Sequence, residues 1–164
     1  MRTCFERYLP SPPDVVWPHL TWPDRMNEWS EARVELVSAG EGGRPDGAGA
    51  TRRVTVQVLG LRSRLLEVVE ESLPPSRFVY RVTVGGGLRQ HRGQMCLEPA
   101  GDGTRLVWEV AYRTYLPGLG LLMNWLVGRS VRRSLAALEH LLRRQATAAE
   151  VLRPKQPLQQ TGGA

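Results

Sequence analysis

The 164-residue sequence predicts an α+β fold, a curved antiparallel sheet of about seven strands wrapped on one long C-terminal helix. Three observations carry this. Residues 48–115 divide into strand-length runs in which apolar and polar side chains alternate with period two. Each break between runs carries turn chemistry, at Leu59-Gly60, Pro74-Pro75, Gly85-Gly86-Gly87 and Gly101-Asp102-Gly103. The segment at about 118–146 is apolar first and basic later, with its large apolar residues at helical spacing.

The elements follow in order. A first strand spans about 3–9. In SPPDVVWPHL, Ser11 is a candidate N-cap, prolines occupy the first turn where a missing N–H costs little, and Asp14 favours the helix dipole. Pro18 and Pro23 are expected to limit this region to two short helical pieces, near 12–17 and 22–28, with Thr21 as cap of the second. A strand at about 31–39 leads into GEGGRPDGAG, expected to be an exposed, mobile loop. Strands follow at about 49–58, 61–72, 77–84, 88–98 and 104–115. The helix opens after Pro117-Gly118, and Leu122, Trp125, Leu126, Val131, Leu135, Leu138 and Leu142 are expected to pack on the sheet; the early apolar excess points to a less well-covered segment near a cavity mouth, with membrane docking there the weaker alternative because the segment is short and its basic residues come after it. One domain covers 1–147; the polar, Pro- and Gly-containing tail at 148–164 is expected to be disordered.

Composition bounds the function. No run approaches the ~20 apolar residues of a membrane span. The N-terminus is charged where a signal peptide would be apolar, so a cytoplasmic location is expected, without stable membrane insertion. Cys4 and Cys96 lack metal-ligand spacing and read as unpaired thiols. His19, His91 and His140 have no companion ligands at metal spacing, so no metal is expected. Gly85-Gly86-Gly87 reads as a hairpin turn, not a phosphate loop, and no cofactor is expected. The net charge is +6, yet Lys155 is the single lysine among 22 basic residues, and the arginines are mostly dispersed. Without an aromatic–basic stripe, no nucleic-acid partner is expected. Monomer and homodimer both stay open.

The turns set registers that check one another. Phe78, Tyr80, Val82 and Val84 form the apolar set of their strand. A two-residue turn at Gly86-Gly87 sets Val84 opposite Arg89, Val82 opposite His91, Tyr80 opposite Gly93 and Phe78 opposite Met95. The next hairpin sets Leu97 against Leu106, Met95 against Trp108, Gly93 against Val110 and His91 against Tyr112. Backwards, Val69 meets Tyr80, Glu67 meets Val82, Val54 meets Leu65 and Arg52 meets Glu67. One layer of the inward face is then Arg52, Glu67, Val82, His91 and Tyr112, with Arg89 and Thr114 in its neighbour. Two accounts fit: a partly buried Arg52–Glu67 ion pair beside a His91 bonded to Tyr112, or polar groups lining a ligand cavity. Desolvation makes an ion pair a poor stabiliser on its own, and a ligand site is the better reason to bury one.

The order strand, two short helices, six strands, long helix resembles the helix-grip fold of the START/polyketide-cyclase (SRPBCC) superfamily. PSPPDVVWPHLTWPDRMNEW at residues 10–29 is similar to that family's opening pattern. EVVEESLPPSRFVYRV and GQMCLEPAGDGTRLVWEVAY resemble its middle segment and its later hairpin. The likeness covers about residues 3–145 and implies an apolar cavity between sheet and helix, open at one end. By position, Trp17, Trp29, Tyr80, His91, Trp108 and Tyr112 would contribute to its wall, with Val82, Met95 and Trp125 as further ligand-binding candidates. No catalytic motif is shared across the superfamily, so none carries over.

The expected ligand is a hydrophobic small molecule, aromatic, polyketide-like or lipid. An enzyme of this kind would be a cofactor-independent cyclase, aromatase or dehydratase. His91 would act as acid or base, Tyr112 as hydrogen-bond donor, and Arg52 or Arg89 as stabiliser of a carbonyl or enolate, with Glu67 holding Arg52. The alternative is a non-catalytic carrier or sensor of such a ligand. A protein- or nucleic-acid-binding module is the third reading.

Overall fold

The computed structural model describes residues 2–58, 60–85, 88–114 and 119–151. Strand β1 (Arg2–Leu9) is followed by helices α1 (Pro13–Thr21) and α2 (Pro23–Met26). Then come β2 (Arg33–Ser38), a short 3-10 turn at Glu41–Gly43, β3 (Thr51–Val58), β4 (Leu61–Leu73), β5 (Arg77–Gly85), β6 (Leu88–Ala100), β7 (Gly103–Thr114) and α3 (Leu119–Val151). The seven strands form one antiparallel sheet in the order β1-β7-β6-β5-β4-β3-β2. Five consecutive strands are joined by hairpins. The first strand returns to pair with the last, Phe5 opposite Trp108. α3 lies across the inward face, burying Leu135, Leu138 and Leu142 against Phe5, Leu9, Phe78, Met95 and Leu106. This is the helix-grip architecture.

The expected registers hold through the middle of the sheet. Arg52 pairs with Glu67, Val54 with Leu65, Glu67 with Val82, Val69 with Tyr80, Phe78 with Met95 and Met95 with Trp108. They fail toward the hairpin tips, where bulges enter. An irregularity between Leu66 and Glu67 sets Val84 against Leu66 instead of Leu65, and Val84 is exposed, not inward. Between Arg89 and Arg92 the β6–β7 register also slips, so Arg89 meets Arg113 and Leu88 meets Thr114. Gln90 takes a positive φ of 50° there. A bulge adds a residue without a ladder partner and turns neighbouring side chains, which alternation alone does not reveal. The turns expected at Leu59, Gly86-Gly87 and Pro117-Gly118 include residues outside those described.

Other local expectations change. Pro18 sits inside α1, which continues to Thr21; the turn beyond it is closed by the Trp22 N–H donating to the Pro18 carbonyl at 2.9 Å. Neither helix has a side-chain cap: Pro12 and Trp22 hold the cap positions. Ser11 Oγ donates to Pro10 O, and Thr21 Oγ1 donates back to Trp17 O within α1. The loop after β2 is docked, not exposed throughout. Asp46 is fully buried and accepts hydrogen bonds from Trp17 Nε1 (2.7 Å) and Arg44 Nη2 (2.8 Å). Burial works to raise the Asp46 pKa, but the Arg44 and Trp17 bonds outweigh it and hold the carboxyl below its usual range. α3 runs to Val151, past the expected end near 146. On its first turns Leu122 and Trp125 are exposed instead of facing the sheet.

Gly93 shows how close packing decides a residue. The Tyr80 ring crosses the β6 backbone there, and a Cβ on Gly93 would run into its Cζ and hydroxyl. Gly93→Ala is expected to cost about 1–3 kcal/mol through this overpacking. The check is thermal unfolding, with Gly93→Ala/Tyr80→Leu recovering most of the loss.

Candidate functional site

A cavity of about 370 Å³ lies between the inward face of the sheet and the first half of α3. Its floor is Val34, Val54, Leu65, Met95, Trp108 and Val110; Met26 and Trp29 come from the α2 region, and Leu126, Val127 and Val131 from α3. The size falls within the roughly 300–1,000 Å³ of small-molecule sites. Into this apolar lining project Arg52, Glu67, Tyr80 and His91.

Arg52 is placed by β3 alternation and is 1% exposed. Its Nη2 donates to Glu67 Oε2 at 2.9 Å, and Nη1 to the Thr21 carbonyl at 3.3 Å. Thr21 ends α1, so the cation sits where a helix C-terminus favours positive charge. The guanidinium also lies 5.0 Å from the Phe78 ring centroid and 5.7 Å from that of Tyr80. Its Nε has no hydrogen-bond partner among the described residues. Burial pushes Glu67 above the usual carboxylate range, and the charge and hydrogen bond of Arg52 offset only part of that.

Tyr80 Oη accepts from Trp108 Nε1 at 3.2 Å. Burial, reinforced by the Glu67 charge, raises the phenol's pKa well above its usual value, so it stays a neutral hydroxyl. His91 lies on β6 within the bulge between Arg89 and Arg92, so among the described pairs it faces neither Val82 nor Tyr112, the ladder partners expected for it, although its side chain still reaches the cavity. Its ring packs 6.1 Å from Tyr80 and stacks at 27° on Tyr112, centroids 6.2 Å apart. Burial pulls its pKa down to about 4, and its Nδ1 has no hydrogen-bond partner among the described residues. At neutral pH the imidazole is therefore uncharged and can accept or donate one hydrogen bond.

The predicted residues separate into groups. Arg52, Glu67, Trp29, Tyr80, His91, Met95 and Trp108 are gathered at the cavity. Tyr112 is buried behind His91, its hydroxyl donating to Asn124 Oδ1 at 3.4 Å. Trp17 is buried in the core, edge-on to Phe78 and bonded to Asp46. Val82 is half-buried on β5, outside the described lining. Trp125 is 55% exposed with the Arg129 guanidinium 5.7 Å over its ring. The side chain of Arg89 lies outside the described residues.

Sequence reasoning missed the clasp beside the cavity. The Glu31 N–H donates to Ser134 Oγ (3.1 Å), while its carboxylate accepts from Ser130 Oγ (2.8 Å) and pairs with Arg133 (3.3 Å). It joins the α2–β2 connection to α3, and its residues are about 100 positions apart, so no local pattern announces it. Asn124 was missed likewise; it also accepts from Thr3 Oγ1 and ties α3 to β1. Among the described residues no group of three or more His, Cys, Asp or Glu could hold a metal. None of their helices is long and apolar enough to cross a membrane.

The comparisons with known proteins agree with the helix-grip fold. A START superfamily protein from Mycobacterium smegmatis is similar in structure, with a TM-score of 0.76 at 16% identity, over 88% of this chain and 98% of that one. The Zhui aromatase/cyclase from Streptomyces sp. R1128 gives a TM-score of 0.74 at 18% identity, over 91% and 97%. The protein TTHA0849 from Thermus thermophilus gives 0.67 at 24% identity, over 91% and 99%. No curated protein matches the sequence. The family model described as polyketide cyclase / dehydrase and lipid transport matches residues 5–143, and the chain belongs to that family.

Proposed function

We propose that the protein binds a hydrophobic small molecule, aromatic or polyketide-like, in the cavity under α3, with a carbonyl or hydroxyl directed at His91, Tyr80 and Arg52. The observation that carries this is a pair of polar atoms without a partner among the described residues, Arg52 Nε and His91 Nδ1, on residues lining an otherwise largely apolar space. A buried polar atom without a partner is costly, and a ligand oxygen at that place would satisfy it. The family's description, polyketide cyclase / dehydrase and lipid transport, supports a hydrophobic ligand and leaves a lipid as the alternative. A role as carrier or sensor needs nothing further.

The test is fluorescence titration with phenylnaphthylamine and with a hydroxyanthraquinone. Both are expected to bind, the second losing affinity in His91→Phe and the first not. Val127→Trp, which fills the α3 side of the cavity, is expected to weaken both by about tenfold or more. Unchanged affinities in Val127→Trp would sink the reading.

A second reading adds catalysis, as a cofactor-independent cyclase or dehydratase, and the position of His91 favours it. His91 would take a proton from the bound chain, Tyr112 would hold His91 by stacking, its hydroxyl donating to Asn124 instead of to the ligand, and Arg52 or Arg89 would stabilise the enolate. A pKa near 4 makes His91 a weak base, so binding is the primary reading. Turnover of a poly-β-keto thioester that disappears in His91→Ala while affinity persists would establish catalysis.

A further inference from the structure

In the antiparallel sheet, the end of β3, the start of β4, the ends of β5 and β7, the start of β6 and the start of α3 all lie at one end of the molecule. Large apolar side chains stand exposed there: Val84 at 62%, Leu121 at 76%, Leu122 at 44% and Trp125 at 55%. The next turns of the same helix, Leu126 and Val127, line the cavity. The patch therefore borders the ligand site.

Its surroundings are basic. Arg62, Arg64, Arg113, Arg129 and Arg132 are exposed and have no carboxylate partner among the described residues. The acids nearby are already engaged: Glu109 with Arg2, Glu35 with Arg53, and Glu31 with Arg133. Arg129 lies over the Trp125 ring, putting a cation beside an amphipathic aromatic. Exposed leucines, a tryptophan and a surplus of arginine on one helix start match the two attractions that hold a protein at an anionic bilayer surface, apolar insertion and charge.

We infer that this end of the molecule docks reversibly on an anionic lipid surface through Leu121, Leu122 and Trp125, with Arg113, Arg129 and Arg132 over the headgroups. The inference rests on the exposed surface and not on what the cavity holds. Near the surface each arginine adds about fivefold in partitioning. The short apolar patch keeps the attachment reversible, in contrast to a membrane span.

Vesicle flotation tests this on the full chain, with phosphatidylcholine alone and with an equimolar mixture of phosphatidylcholine and phosphatidylglycerol. The expected result is binding to the mixed vesicles, weakened by salt, and little binding to the neutral ones. Leu121→Ser/Leu122→Ser should lose about tenfold in partitioning, and Arg113→Gln/Arg132→Gln about twentyfold or more. Thermal unfolding and phenylnaphthylamine uptake without vesicles, measured on the same variants, should be unchanged, which separates failure here from failure of the ligand reading. Brominated lipid should quench part of the tryptophan emission, and Trp125→Phe should remove that part. Absence of binding to the mixed vesicles would overturn the inference, as would binding that ignores both double variants. A mass doubling in solution that Leu121→Ser/Leu122→Ser abolishes would assign the patch to a second copy of the chain and overturn it too.

Discussion

Arg52→Leu is expected to cost about 3–5 kcal/mol of folding stability, because it leaves the buried Glu67 carboxylate without its counter-charge. For a chain of this size that is a fall of roughly 10 °C or more in Tm. The partners are 1% and 8% exposed, so water cannot take over the lost interaction. α1 would lose a second contact, since Arg52 also donates to the Thr21 carbonyl. The companion variant Arg52→Leu/Glu67→Leu is expected to regain most of the loss, because it removes both desolvated charges together. The pair matters for function if the double variant is stable yet binds a hydroxyanthraquinone about tenfold more weakly. A double variant equal to the parent in stability and in affinity would leave Arg52 and Glu67 without a ligand role.

The second large effect is a loss of stability in mild acid. His91 titrates near 6.5 in an unfolded chain and at about 4 in the folded one, because burial disfavours its charged form. Between these values the unfolded state binds the proton and the folded state does not. Stability therefore falls as pH drops from 6.5 to about 4 and is level outside that window for this group. The whole interval is worth on the order of 3 kcal/mol. His19 is shifted the same way, by burial first, and adds to the slope. Glu67, raised by burial, works in the opposite sense near the acid end. The contribution of His91 is thus read as the difference between parent and His91→Gln in denaturant unfolding across the window. Parallel slopes for the two proteins would show that His91 is not held neutral by burial.

Alternation places Arg52 and Glu67 by itself, and it puts His91 on the inward face but not with the right ladder partners. Arg52 faces Glu67 because the β3–β4 register follows from Val54 opposite Leu65, and a slip of one residue would expose both. Tyr80, Met95 and Trp108 share the inward face for the same reason, and the resemblance to helix-grip proteins named the cavity they line. Side-chain direction within a strand is a local property, so it survives without knowledge of the rest of the chain. Legibility ended where the ladder is broken. The bulge at Gln90 moved Arg89 opposite Arg113, and the irregularity before Glu67 turned Val84 outward.

Fold class, strand order along the chain, the central registers and the meeting of Arg52 with Glu67 were all legible from the residues alone. Period-two patterning and turn chemistry act over a few residues, and each is written in adjacent positions. What depends on segments far apart in the chain became visible only in the folded molecule. Folding buried Asp46 against Trp17, fastened Glu31 to α3, placed Asn124 between Thr3 and Tyr112, and left Leu121, Leu122 and Trp125 in the open. Helical spacing marks a residue as apolar on one face, but only the docked position of the helix sets which turns the sheet covers. The sheet covers the later turns of α3, and that physical fact separates the core from the cavity and its border.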